Sequence, residues 1–141
     1  MLRIPHAAIA ACYLSFSSPA LADDEQELRR AFQAYIDAFA RGDASASVFV
    51  PSGRVVFLKP QPGADPDTIA VREFNAILPR WMASRYPKAT GEIRSLRVVS
   101  PTMAYVEARL DLGDDDHNDL LVFYKLDGAW RLVAKATEDA R

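Results

Sequence analysis

From residue 93 to residue 137 the chain alternates strand-like runs with turn residues, and this stretch limits the fold more than any other feature. The runs are 93–99, 104–112, 120–126 and 130–137. The turns are Ser100-Pro101-Thr102, the polar segment 113–118 and Asp127-Gly128. Asp-Gly between two apolar runs is the strongest short-range signal for a hairpin. Ala104, Val106, Ala108 and Leu110 alternate with Tyr105, Glu107, Arg109 and Asp111, so one strand carries an apolar face and a polar face. An antiparallel sheet with one apolar face has to bury it under another layer.

That layer is expected upstream. Asp24-Glu25-Gln26-Glu27 has the form of a capping box. Leu28, Ala31, Phe32, Tyr35, Ile36 and Phe39 follow at helical spacing, opposite Arg29, Arg30, Asp37 and Arg41, and Gly42 closes the helix. Asp43 is placed to cap a short second helix through about residue 48. Pro51-Ser52-Gly53 then turns the chain into a β-branched run, 54–58. Residues 59–67 carry three prolines and a glycine and read as a loop. Asp67 or Thr68 caps a third helix with Ile69, Phe74, Ile77, Leu78, Trp81 and Met82 on its apolar side, kinked or split at Pro79. The expected fold class is α+β, with three N-terminal helices on a strongly curved, mostly antiparallel sheet of about four to six strands. An apolar, cone-shaped interior lies between the layers.

Residues 1–22 stand apart. Arg3, an apolar stretch over 7–16 and Ala20-Leu21-Ala22 follow one another as in a bacterial export signal cleaved after Ala22. The stretch is too short to anchor the chain across a bilayer. The expectation is a periplasmic or secreted single domain, 23–141. The only cysteine is Cys12, so cleavage after Ala22 leaves no thiol, disulfide or cysteine-bound metal. Ile9-Ala10-Ala11-Cys12 also has the form of a lipoprotein box, although the segment before it is very short for one. The net charge of -2 gives no electrostatic reason to expect nucleic acid or an anionic membrane as a partner.

Chemistry-bearing residues are sparse. Asp114, Asp116 and Asn118 have the alternate spacing of early calcium-loop ligands, but Asp119 and Lys125 stand where that loop needs glycine and glutamate. The segment is read as a solvated hairpin tip, and neither a metal nor a cofactor is expected. His117 reads as an exposed turn residue, and no Ser-His-acid triad can be placed around it. Glu107 and Arg109 share one strand face, read as the outward one. Arg80, Arg85 and Lys88 lie among Trp81 and Tyr86, an arrangement that surface solvation explains as well as an anion site does. Tyr35, Trp81, Tyr105 and Tyr124 are aromatic residues with a polar tip, suited to the core or to a ligand pocket. Lys135 points into the cone if alternation carries it there, and otherwise snorkels off the sheet.

The element order, Tyr35-Ile36-x-x-Phe39-x-x-Gly42-Asp43, Phe49-Val50-Pro51 and the C-terminal run from Asp119 to Lys135 together resemble the nuclear-transport-factor-2-like (cystatin-like α+β) superfamily. Within it the chain is most similar to the bacterial lumazine-binding and SnoaL-like group. The likeness covers residues 25–137. It implies the cone fold, but the superfamily holds isomerases, cyclases, dehydratases and binding modules, so fold does not decide function. Tyr35 matches the tyrosine that helps form the steroid isomerase oxyanion hole. The isomerase general base would fall at Phe57 or Lys59, and the acid that completes the hole near Val122. None of these can play those parts as the isomerase does. Val50 likewise replaces a histidine common among relatives.

The functional expectation is a non-catalytic module that binds a small apolar or aromatic ligand, with Tyr35, Phe39, Phe57, Trp81, Tyr124 and Lys135 lining the pocket. The alternatives are an isomerase, cyclase or dehydratase using an atypical set such as Tyr35 with Lys135 or Glu107, and an interaction module that forms a homodimer through the sheet face.

Overall fold

Asp127 and Gly128 have φ values of 51° and 76°, the left-handed pair that a two-residue hairpin loop needs to match strand twist. Around this turn a computed structural model describes residues 19–59 and 68–140. Its six strands are β1 (Phe49–Lys59), β2 (Thr68–Glu73), β3 (Thr90–Ser100), β4 (Met103–Asp111), β5 (Asp116–Leu126) and β6 (Ala129–Asp139). They form one sheet in the order β2-β1-β6-β5-β4-β3. β1 runs parallel to β6, and the other neighbours are antiparallel. The helices are α1 (Pro19–Arg41) and α2 (Phe74–Trp81), the latter followed by a 3-10 turn, Met82–Ser84.

The expectation of three N-terminal helices is corrected to two α-helices among the described residues. Residues 43–48 form turns, because Asp43 Oδ1 accepts from the Ser45 amide at 3.1 Å and the Ser45 hydroxyl at 2.8 Å instead of capping a helix. Residues 68–73 form β2, where Ile69 and Val71 face Leu58 and Val56 of β1. β-Branched side chains fit that ladder better than a helix. Asp24 lies inside α1, which starts at Pro19, and its carboxylate takes Lys125 at 2.7 Å rather than capping. β5 begins within the acidic run, so the hairpin tip shrinks to residues 112–115.

α1 buries Leu28, Phe32, Tyr35, Ile36 and Phe39. They meet the inner sheet face, which Ala104, Val106, Leu110, Leu121, Phe123 and Leu132 build. Each large apolar side chain fully removed from water contributes about 1.5–3 kcal/mol. Gly91 fixes how closely α1 approaches: a Cβ there would stand 2.5 Å from Ile36 Cδ1 and 2.7 Å from Phe32 Cζ.

One irregularity decides the site. Leu121 pairs with Lys135 and Phe123 with Leu132, so β6 holds one more residue than β5 between these two pairs. Such a bulge switches which residues of a strand face inward. Before it Trp130 and Leu132 are buried, and after it the buried position is Lys135. Unbroken alternation from Leu132 would have turned Lys135 to the outer face.

Candidate functional site: a caged lysine at the pocket floor

The bulge sets Lys135 of β6 beside Asp119 of β5, under Tyr35 of α1. Lys135 and Asp119 are each 4% exposed, and Tyr35 is fully buried. The Tyr35 hydroxyl donates to Asp119 Oδ2 at 2.6 Å and accepts from Lys135 Nζ at 2.6 Å. Lys135 Nζ also donates to Asp119 Oδ2 at 2.9 Å, and the Thr137 hydroxyl donates to Asp119 Oδ1 at 2.7 Å. Both carboxylate oxygens are thereby engaged. The ammonium group has three N–H donors, and two of them are committed within this network.

Three rings close around the same ammonium. The ring centroids of Tyr35, Phe39 and Trp81 lie 5.3, 5.5 and 5.7 Å from Lys135 Nζ. Ring faces attract a cation at these separations. Burial, followed by the charge of Asp119 and the hydrogen bond to it, holds the Tyr35 phenol well above its ordinary pKa. It therefore stays protonated and keeps donating. A buried ion pair is tolerated where its remaining lone pairs and protons find partners, as these largely do.

Lys135 also lines a pocket of about 680 Å³. Its walls are Phe39, Phe57, Trp81, Tyr86 and Leu110, and Phe57 meets Trp81 edge-on at 6.0 Å. Along β6 the inward positions run Lys135, Thr137, Asp139 from buried floor to open mouth. Asp139 lies at the end of β6 with its side chain 77% exposed, facing His117 at 3.4 Å. Asp115 and Glu138 also line the mouth.

The residues expected to line a pocket separate into three groups. Phe39, Phe57, Trp81 and Lys135 line it. Tyr35 sits behind Lys135 and reaches the pocket only through it. Tyr124 does not line it: Phe123 takes the inward position, and Tyr124 stands 40% exposed on the outer face. Glu107 and Arg109 are exposed on that outer face too, with Arg109 paired to Asp116. Tyr35 and Lys135 thus converge, while Glu107 is on the other side of the sheet. His117 is half-buried at the mouth, not a fully exposed turn residue.

Asp119 is a site residue that no motif marks. The isomerase likeness puts the acid of the oxyanion hole near Val122, but Val122 does not share the inward parity of Leu121 and Phe123, whereas Asp119 does. That parity was the available signal: one acid in register with two buried apolar residues, opposite inward Ala108.

Comparison with solved structures defines the class of fold. A nuclear-transport-factor-2-like protein of unknown function from Silicibacter pomeroyi DSS-3 superposes with a TM-score of 0.71 at 19% identity, covering 84% of this chain and 98% of that one. A similar protein of unknown function from Shewanella baltica OS155 gives 0.72 at 13% identity, covering 85% and 96%. A ketosteroid isomerase-like protein from Erwinia carotovora atroseptica SCRI1043 gives 0.61 at 18%, covering 84% and 98%. At these identities the likeness shows the fold alone, the nuclear-transport-factor-2-like α+β fold. The family model described as "Putative lumazine-binding" matches residues 23–137, and the chain belongs to that family. No curated protein matches the sequence.

Proposed function

We propose that this chain is an exported, non-catalytic binding domain whose cone takes a small aromatic or apolar molecule through a hydrogen-bond acceptor docked on Lys135. The observation that carries the reading is the caged ammonium: 4% exposed, ringed by Tyr35, Phe39 and Trp81, and lining the pocket with one N–H beyond those given to Tyr35 and Asp119. An apolar pocket with a few fixed polar groups is the usual form of a small-molecule site. Two observations favour binding over proton transfer. Both oxygens of Asp119 are occupied, and Phe57 lines the pocket where the isomerase likeness would put a base.

A panel of aromatic ketones, read by thermal shift and by Trp81 fluorescence, tests this. Binding raises Tm and alters the Trp81 signal, which W81F removes. Loss of a charge-assisted hydrogen bond weakens binding on the order of tenfold in K135M/D119N, which carries no orphaned charge. The reading fails if no ketone binds, or if binding ignores both Trp81 and Lys135.

Export belongs to the proposal: mass spectrometry of chain made in an exporting bacterium should find Asp23 first, and an intact N-terminus would contradict it. A homodimer through the outer sheet face is a second reading. It is favoured by the cross-strand row Val71–Val56–Ala136–Leu120 and by exposed Leu58, Ile69 and Tyr124 on the outer side. Sedimentation showing only monomer at high concentration would dismiss it.

A further inference from the structure

We infer that the ligand is polarised: a hydrogen-bond acceptor at its inner end and a positive charge at its outer end. The inference rests on the binding reading above and concerns which molecules that pocket selects. Three carboxylates line the mouth: Asp115, Glu138 and Asp139. The chain holds each of them there. The Asp115 carbonyl accepts from the Leu112 amide at 2.9 Å, which fixes the hairpin tip. Glu138 takes the Asn118 side-chain amide at 3.5 Å, and Asp139 faces His117 Nδ1 at 3.4 Å.

Among the described residues little positive charge opposes them apart from His117, which lines the same mouth beside Asp139. Arg94 of β3 is bound to Asn118 at 3.0 Å, and Arg109 of β4 to Asp116. Lys135, the cation among the lining residues, lies at the other end of the pocket and is already paired with Asp119. A carboxylate or phosphate ligand would thus meet three like charges at the mouth and a largely neutralised lysine at the floor. A cation would meet the reverse. Charges lining a cleft act on an approaching ligand together, more strongly than any one exposed pair.

The strand sets the length. Lys135 and Asp139 are four residues apart on β6, about 13 Å at the usual rise per residue. Two fused six-membered rings with a short substituent at each end cover that distance. The structure therefore points to a flat, fused-ring molecule with a carbonyl or ring nitrogen inside and an ammonium or amidinium outside.

Three probes of one shape test this on the full chain: methyl naphthyl ketone, the same ketone with an aminomethyl group on the far ring, and the same ketone with a carboxylate there. Affinities are read by Trp81 fluorescence and calorimetry. The aminomethyl ketone should bind on the order of tenfold more tightly than the parent, and the carboxylate weaker by a similar factor. High salt should compress this spread. In D115N/E138Q/D139N the ratio of aminomethyl-ketone to carboxylate-ketone affinity should collapse towards one. Equal affinities for all three ketones would overturn the inference and leave the binding reading intact. Tightest binding by the carboxylate would also overturn it, showing that Lys135 governs charge preference. Failure of every ketone to bind would bring down both.

Discussion

Lys135 and Asp119 hold each other at 2.9 Å with only 4% of each exposed, and that mutual dependence can be measured. Removing one member of a buried pair leaves the other without its countercharge, at a cost of about 3–5 kcal/mol. K135M should therefore lose about that much in urea denaturation. K135M/D119N should recover most of the loss, because no charge is then stranded. Equal losses in the single and double variants would show that the pair is not coupled as described. Tyr35 gives a pH test of the same network. Its folded pKa is raised, so the folded state keeps a proton that the unfolded chain releases near pH 10. Its contribution is complete below that pH and is lost as pH rises through the higher folded value. In the folded protein Tyr35 should add no tyrosinate absorbance near pH 10, so Y35F should leave that phase unchanged. A phase reduced by one tyrosine would contradict the burial. Tyr35 was legible as a functional candidate because it sits in a recognisable helix motif. Asp119 was not, because its role depends on strand parity and on a helix 84 residues away in sequence.

At the scale of elements, β4 and the Asp127-Gly128 hairpin were plain in the sequence, since period-two alternation and turn chemistry are local. β2 was not. Ile69 shares helical spacing with Phe74 and Ile77, but it stands 70% exposed on a strand, and only pairing with β1 decides between the two. The bulge in β6 was equally hidden, because Val133 looks like any other β-branched strand residue. Yet that extra residue is what turns Lys135 inward. The contact of α1 on β3 can be probed directly. G91A places a methyl against Ile36 and Phe32, and overpacking of this kind costs about 1–3 kcal/mol. Adding I36V should return part of that, measured by the urea midpoint. A neutral G91A would show that α1 has room to move off the sheet.

For the molecule as a whole, the sequence carried the α+β order, the curved sheet and the superfamily likeness. It did not carry the interior, which is assembled from α1, β5, β6 and α2 at once. No helix among the described residues is long and apolar enough to cross a membrane. What the layers enclose is a cone with a caged cation at its floor and carboxylates at its mouth, and the central claim is that a ligand's acceptor atom docks on that cation. A crystal structure of the protein with methyl naphthyl ketone tests it most directly. The naphthyl ring is expected against the Phe57–Trp81 pair, with its carbonyl oxygen within hydrogen-bond distance of Lys135 Nζ. A ketone bound elsewhere, or a cone filled by its own side chains with Lys135 sealed from it, would contradict the account.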